Sequence, residues 1–503
     1  MKTRLIDWLR TNRIEILLAG IYSLLYLFLW PVSNTTMDES AYLNYAWVYR
    51  HGTIFSSDVG ISAVQSYGVG PEGSHILTLY PPGMPAALAA VSFLGWNFAL
   101  GANLFVHLVT FFLLAALLRR MGVPGWLAFL YLLHPTAVIY SHTLMSDPLS
   151  GCLMLLTFLA CIKRHFAVAG ILAGVSVYIR TANGITAGLL ALGLFLEALP
   201  VLRVGVRRGQ WGVVLRALLP AITVSLCALP FIAGAWWFQK VIQEGGWAKY
   251  ASEGLLTVKH FPTMFPRYLL MLGIIFPGMV LGPALYRGLN RVLLATLCYG
   301  YLLFYSCYYF QDSGGSALET FIIGQRFMLA VLPLFLLAYA ETLNHFLGRF
   351  VATIPGRVAA VAVATILFAV SGFGLWKHEK YLKELETVRG MVQEHIPADA
   401  PLFCNVHIAK LLHPAWTGLR KYKIVGNYHD TRADVEDLTR SLDSVFAQGA
   451  KEAYVAIWSR EYRAESANER AILDAVGDRY NNAFIMTEAR GLGILKVTGK
   501  AIK

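Results

Sequence analysis

Two adjacent carboxylates, in the run Met37-Asp38-Glu39-Ser40-Ala41-Tyr42, follow the first long apolar stretch of the chain. A carboxylate in such a place can act as a general base toward a hydroxyl. Acidic residues also gather at helix N-termini, where the macrodipole favours them, and Ser33 to Thr36 supply caps for a short helix running to Arg50. A third carboxylate, Asp147, lies in Ser146-Asp147-Pro148-Leu149, a helix-start pattern in its own right. Ionisable groups at membrane depth are functional candidates as well. Tyr178-Ile179-Arg180-Thr181 and Gly324-Gln325-Arg326-Phe327 each set one arginine at the end of an apolar run. Such a side chain either snorkels to lipid headgroups or grips phosphate oxygens with a planar fork that lysine lacks. Leu79-Tyr80-Pro81-Pro82-Gly83-Met84-Pro85 opens a further apolar stretch, and prolines in a first helical turn forfeit no hydrogen bond.

The elements that must position these residues are mostly membrane helices. Of the 503 residues 56% are hydrophobic and 14% charged, against roughly 25% charged in soluble domains. The net charge of +12 comes as short clusters between apolar runs, which is a topology signal and not the basic face of a nucleic-acid binder. Lys2, Arg4, Arg10 and Arg13 precede the first run without a small-residue cleavage site after it, so it reads as a retained span with a cytoplasmic start. Apolar runs long enough to cross cover 14–31, 100–118, 124–142, 148–162, 165–180, 184–202, 214–237, 267–286, 292–310, 326–346 and 357–376. The stretch 81–98 is shorter and decides the topology. If it stays on the outer face as an interfacial or re-entrant helix, Arg119, Arg120, Lys163, Arg164, Arg203, Arg207, Arg208, Arg216, Arg287, Arg291, Arg349 and Arg357 all become cytoplasmic. The expectation is therefore an α-helical polytopic membrane protein of about eleven spans plus outer-face interfacial helices. Asp38, Glu39, Asp58, Glu72 and Asp147 then face outward.

Residues 1–376 form the membrane domain in this reading, and 377–503 a soluble extracytoplasmic α/β domain. Past Trp376 the chain turns into the charged amphipathic KHEKYLKELETVRG, after which LFCNV, YKIVG, AYVAIW and AFIMTE read as strands. Stretches 433–447 and 464–479 read as helices. No GxGxxG follows a strand there, so a dinucleotide or phosphate loop is not supported. Of six cysteines only Cys404 lies outside or away from the apolar runs, and no pair has metal-ligand or disulfide-framework spacing.

Taken together and in order, the Asp38-Glu39 pair, Tyr-Pro-Pro-Gly, Ser-Asp-Pro-Leu and the Arg-Phe of GQRFMLAVLP resemble the GT-C superfamily of membrane glycosyltransferases, over residues 1 to about 350. The likeness is greatest to the branch of protein O-mannosyltransferases and lipid A aminoarabinose transferases. It implies a polyprenyl-phosphate sugar donor, a glycan, lipid or protein acceptor, inversion, no required cofactor, and a bacterial inner-membrane location. By position it makes Asp38 the base, Glu39 and Asp147 its supporting acids, and Arg326 a phosphate ligand, with Arg180 a looser match; Tyr42 and Tyr80 are substrate-site candidates. Related transferases carry Lys or His directly before the Pro-Pro pair, where this chain has Tyr80; Lys240, Lys249, Lys259 and His260 are the substitutes available for phosphate. A divalent cation between Asp38 and Asp147 is the alternative to purely metal-free transfer. The competing classes are a lipid or glycan transporter or flippase, which would show two related halves, and a glycan ligase with a diphosphate-linked donor.

Cysteine labelling of intact cells tests the topology: positions 38, 147 and the tail after 376 should react from outside. Labelling at 119 with protection at 147 would mean that 81–98 crosses.

Overall fold

The computed structural model describes residues 11–51, 80–242, 256–308, 324–351, 353–418, 420, 422–425, 434–458, 472, 475–477, 479–487 and 491–499. Asp58, Glu72, Lys249 and most of the helix expected over 464–479 lie outside these described residues. In chain order the longer helices are α1 (Arg13–Phe28), α2 (Met37–His51), α3 (Gly83–Val91), α4 (Ala102–Arg120), α5 (Asp147–Ile162), α6 (Phe166–Ile179), α7 (Gly184–Arg207), α8 (Trp211–Trp237), α9 (Phe261–Ile275), α10 (Arg291–Ser306), α11 (Leu332–Val351), α12 (Ile354–His395) and α13 (Val435–Ala447). The strands are β1 (Leu402–Cys404), β2 (Tyr422–Ile424), β3 (Glu452–Trp458), β4 (Asn481–Thr487) and β5 (Leu492–Thr498).

Two compact units divide the chain. The first comprises Met1–Trp30, Pro81–Met84 and Gly101–His378. Its interior is a continuous apolar core running through Phe111, Phe158, Leu297, Tyr301 and Phe335. Its outer surface is apolar too. Leu215, Leu219, Leu226 and Leu229 of α8 stand exposed, a surface that lipid acyl chains match and water does not. Among the described residues four helical stretches are long and apolar enough to cross a membrane: Ala102–Arg120, Thr181–Arg207, Trp211–Lys240 and Ile354–His395. A fifth exists if Val258–Ile275 and Met279–Leu285, bent by 108°, count as one.

Helix length therefore supports four or five of the expected crossings, and the reasons are local. The run 124–142 breaks into Gly125–Ala128, Phe129–Leu132 and Pro135–Ser141, since Pro135 lacks the N–H that would continue the helix. The runs 148–162 and 165–180 form α5 and α6 of 16 and 14 residues, short of the roughly 20 that fill a bilayer core. The stretch 81–98 is helical in α3 and then turns at Gly95, whose φ of 119° only glycine adopts readily. At nine residues α3 is about half the length of a crossing.

The second unit gathers Pro31–Tyr80, Pro85–Leu100 and Glu379–Lys503. Its C-terminal part begins at Glu379, within α12, which runs unbroken for 42 residues, and α2 joins the C-terminal core. Its sheet has the order β2-β1-β3-β5-β4. β1 is parallel to β2 and β3, while β5 is antiparallel to β3 and β4. Alternate side chains supply the two faces, as the strand pleat requires. Leu402, Cys404, Tyr454, Ala456, Trp458 and Ile494 pack on Leu385, Val388 and Val392 of α12 together with Ala41, Tyr45 and Val48 of α2. Phe403, Val455, Ile457 and Leu495 pack on Leu438 and Leu442 of α13. The four expected strands are present as β1 to β4.

His413 sits deep in this unit at 1% exposure, its ring 4.8 Å from the rings of both Trp96 and Trp416. Its Nδ1 accepts from the Ala415 N–H at 3.2 Å, so Nε2 carries the hydrogen and faces the Leu43 carbonyl at 3.2 Å. Burial pushes its pKa down to about 3, against the pull of that carbonyl. Between this value and the ordinary 6.5 the unfolded chain binds a proton that the folded chain refuses. Stability is therefore full above pH 6.5 and falls as pH drops toward 3, by on the order of 3 kcal/mol at pH 4. Unfolding midpoints at pH 7 and pH 4 should differ less in His413→Asn, which keeps the cap acceptor; equal slopes in variant and wild type would refute this account.

Candidate active site

Thr36 caps α2. Its Oγ1 accepts from Glu39 N–H at 3.2 Å while Glu39 Oε2 accepts from Thr36 N–H at 2.8 Å, which is the reciprocal capping box. The same Oε2 accepts from Thr35 N–H at 2.5 Å and from Thr35 Oγ1 at 2.7 Å. Glu39 is 1% exposed, and its carboxylate is committed to holding the helix start. Asp38 stands beside it, half-buried, and Oδ1 accepts from the Tyr80 hydroxyl at 2.6 Å. It makes no other hydrogen bond among the described residues. Tyr42, one turn on from Asp38, lays its ring 5.1 Å from that of Tyr80 in an edge-on contact.

The segment leading into α2 is fastened by groups far away in sequence. Arg389 Nη2 donates to Val32 O at 3.1 Å. Lys410 Nζ donates to Thr35 O at 2.9 Å and to Tyr381 Oη at 3.1 Å, and Asn34 Nδ2 returns a bond to Lys410 O at 2.8 Å. Lys410 and Arg389 are 5% and 7% exposed. The sequence reading missed both. Lys410 does carry a signal, a lone charge inside the apolar run HIAKLLHP.

In the first unit Asp147 opens α5 and forms an ion pair with Arg180, which follows the last turn of α6. The Arg180 guanidinium lies 5.0 Å from the centre of the Phe327 ring and 5.6 Å from that of Tyr305. Arg326 approaches the same Phe327 ring at 4.8 Å. Tyr305 is 2% exposed and its hydroxyl has no hydrogen-bond partner among the described residues. Below the pair, Asn183 Nδ2 donates to Ser150 Oγ at 2.9 Å, and the Tyr301 hydroxyl reaches Asn183 Oδ1 at 3.3 Å. Lys259 and His260 form a helical turn that leads into α9, and α9 packs against the Gly324–Met328 turn that carries Arg326. The structure thus brings Asp147, Arg180 and Arg326 together in one unit, and Asp38, Glu39, Tyr42 and Tyr80 in the other. Among the described residues no group of three or more His, Cys, Asp or Glu is placed to hold a metal ion.

The fold of the chain is similar to that of three solved structures of membrane proteins. ArnT from Cupriavidus metallidurans bound to undecaprenyl phosphate matches over 96% of this chain and 98% of its own, at 12% identity and a TM-score of 0.57. The same protein in the apo state matches over 96% and 97%, at 12% identity and 0.59. The archaeal oligosaccharyltransferase AglB from Archaeoglobus fulgidus, in complex with an inhibitory peptide and a dolichol-phosphate, matches over 97% of this chain and 74% of its own, at 12% identity and 0.51. No family model matches the chain, and no curated protein matches it by sequence.

The Asp147–Arg180 pair is nearly buried, with 6% and 16% of the side chains exposed. Asp147→Asn leaves a buried guanidinium without its counter-charge and should destabilise the protein by about 3 kcal/mol. Adding Arg180→Met should recover much of that loss in thermal unfolding. A double variant no more stable than Asp147→Asn would mean that Asp147 serves as a helix cap and not as the counter-charge.

Proposed function

We propose that this protein is a glycosyltransferase that moves a sugar from a polyprenyl-phosphate donor to an acceptor hydroxyl on the extracytoplasmic face. The acceptor hydroxyl gives its proton to Asp38, and its oxygen bonds to the anomeric carbon. The bond from that carbon to the phosphate oxygen breaks, and the electron pair leaves on the phosphate. Inversion follows from single displacement. Arg180 and Arg326 hold the phosphate, with Lys259 and His260 as further cations near the entry of α9. Fixed positive charge at the leaving oxygen lowers the barrier without a nucleotide site or a metal.

The observation that carries this reading is the pair of arginines whose guanidinium groups lie 5.0 and 4.8 Å from the centre of the Phe327 ring, near a buried Tyr305 hydroxyl that has no hydrogen-bond partner among the described residues. Planar guanidinium groups and a spare O–H are what a phosphate monoanion needs. The whole-chain fold likeness to a protein bound to undecaprenyl phosphate supports the same donor class. Asp38 supports the acceptor role, because one of its oxygens is fixed and the other makes no hydrogen bond among the described residues. A diphosphate-linked donor is distinguished by the carrier released, monophosphate against diphosphate.

Asp38→Asn separates base from cap, since Asn caps a helix about as well as Asp. Turnover should fall roughly 10²- to 10⁴-fold with undecaprenyl phosphate affinity nearly unchanged. Transfer at close to the wild-type rate would make Asp38 a structural residue.

A further inference from the structure

Tyr80 occupies the position before Pro81-Pro82, and its hydroxyl lies 2.6 Å from Asp38 Oδ1. That separation falls in the range of O–H···O⁻ bonds to an ionised acceptor, roughly 2.5–2.7 Å. The phenol hydroxyl is the donor of this bond and the carboxylate oxygen the acceptor. We propose that Tyr80 is a positioning residue for Asp38: a neutral hydroxyl fixes the base and leaves the other carboxylate oxygen for the acceptor proton. This inference rests on the transfer reaction proposed above.

Three features make the arrangement rigid. Pro81 restricts the backbone of the preceding residue to extended conformations, which narrows the directions the Tyr80 side chain can take. The ring is then braced edge-on by Tyr42, itself 5% exposed and one helical turn from Asp38. Asp38 in turn rises from a helix start locked by the Thr36 and Glu39 capping box. A carboxylate with one oxygen hydrogen-bonded cannot rotate freely about its last torsion, so Oδ2 is held in one direction. A cation in place of Tyr80 would fix the carboxylate equally well but would neutralise its charge. In the reaction Tyr80 keeps its proton on its own oxygen throughout. The acceptor proton passes to Oδ2 as the acceptor oxygen bonds to the anomeric carbon, and the electron pair of the broken bond leaves on the phosphate.

The test is Tyr80→Phe in the purified full-length protein, supplied with a panel of undecaprenyl-phosphate-linked sugars and read as release of undecaprenyl phosphate. Loss of one hydrogen bond to a charged group should lower kcat roughly 10- to 100-fold, with donor KM and undecaprenyl phosphate affinity unchanged. In the Asp38→Asn background the same substitution should cause no further fall. Wild-type turnover in Tyr80→Phe would overturn the proposal, as would an equal fall in both backgrounds. Weakened undecaprenyl phosphate binding would instead make Tyr80 a direct phosphate ligand. Phenylalanine keeps the ring that packs on Tyr42, so a collapse of the unfolding midpoint along with turnover would assign Tyr80 to packing. A wild-type protein that releases undecaprenyl phosphate from none of the donors overturns the transfer reading, and this one with it.

Discussion

Polar backbone taken out of water has to find partners, and residues 32–36 meet this constraint with charged side chains from the other end of the chain. The carbonyls of Val32 and Thr35 are bonded by Arg389 and Lys410. An unpaired buried carbonyl costs roughly 1–3 kcal/mol, and a buried cation costs more unless it is well coordinated. The two costs cancel in part when they meet. Lys410 also lies 5.6 Å from the Tyr381 ring centre and 5.9 Å from that of Trp458, whose π faces offset some of the lost hydration. The start of α2, and with it the direction of Asp38, depends on this set of bonds.

The first unit solves a similar problem with a different pairing. Arg180 is nearly buried, and the carboxylate at the start of α5 supplies its counter-charge while aromatic rings cover its faces. A planar guanidinium stacked in this way loses little further freedom when it binds an anion. Asp147 is therefore engaged with Arg180, and Glu39 with the helix cap. The three acids grouped by sequence have three different partners, Arg180 for Asp147, the helix start for Glu39 and Tyr80 for Asp38.

What was legible in the sequence was what local pattern encodes. Thr36 and Glu39 stand at capping-box spacing, Ser146-Asp147-Pro148 opens α5, and the short apolar run AYVAIW became β3. β5 was not foreseen, because Gly491, Gly493 and Gly499 make its stretch read as loop. It is a strand through pairing on both sides, with β3 and with β4, a tertiary effect that overrides weak local propensity. The bonds of Lys410 to Thr35 and Arg389 to Val32 close over 375 and 357 residues. Contacts of that span leave no spacing to read. The Tyr80 hydroxyl on Asp38 is of the same kind, although both residues stood out on their own.

Among the described residues the strands of the sheet-bearing unit bring no acid or nucleophile into a recognisable catalytic set. The unit nevertheless has a physical claim on the chemistry. A fifteen-residue helix such as α2 is marginal by itself in water, where helices below about 12–15 residues gain too little from their own hydrogen bonds. Ten of its residues are buried, and the apolar ones among them pack with Leu385, Val388 and the strands. The free energy that keeps α2 helical thus comes from residues after 378. In the proposed reaction the base must keep its oxygen within a fraction of an ångström of the proton it removes, and the packing that would hold Asp38 to that comes from the C-terminal part of the chain.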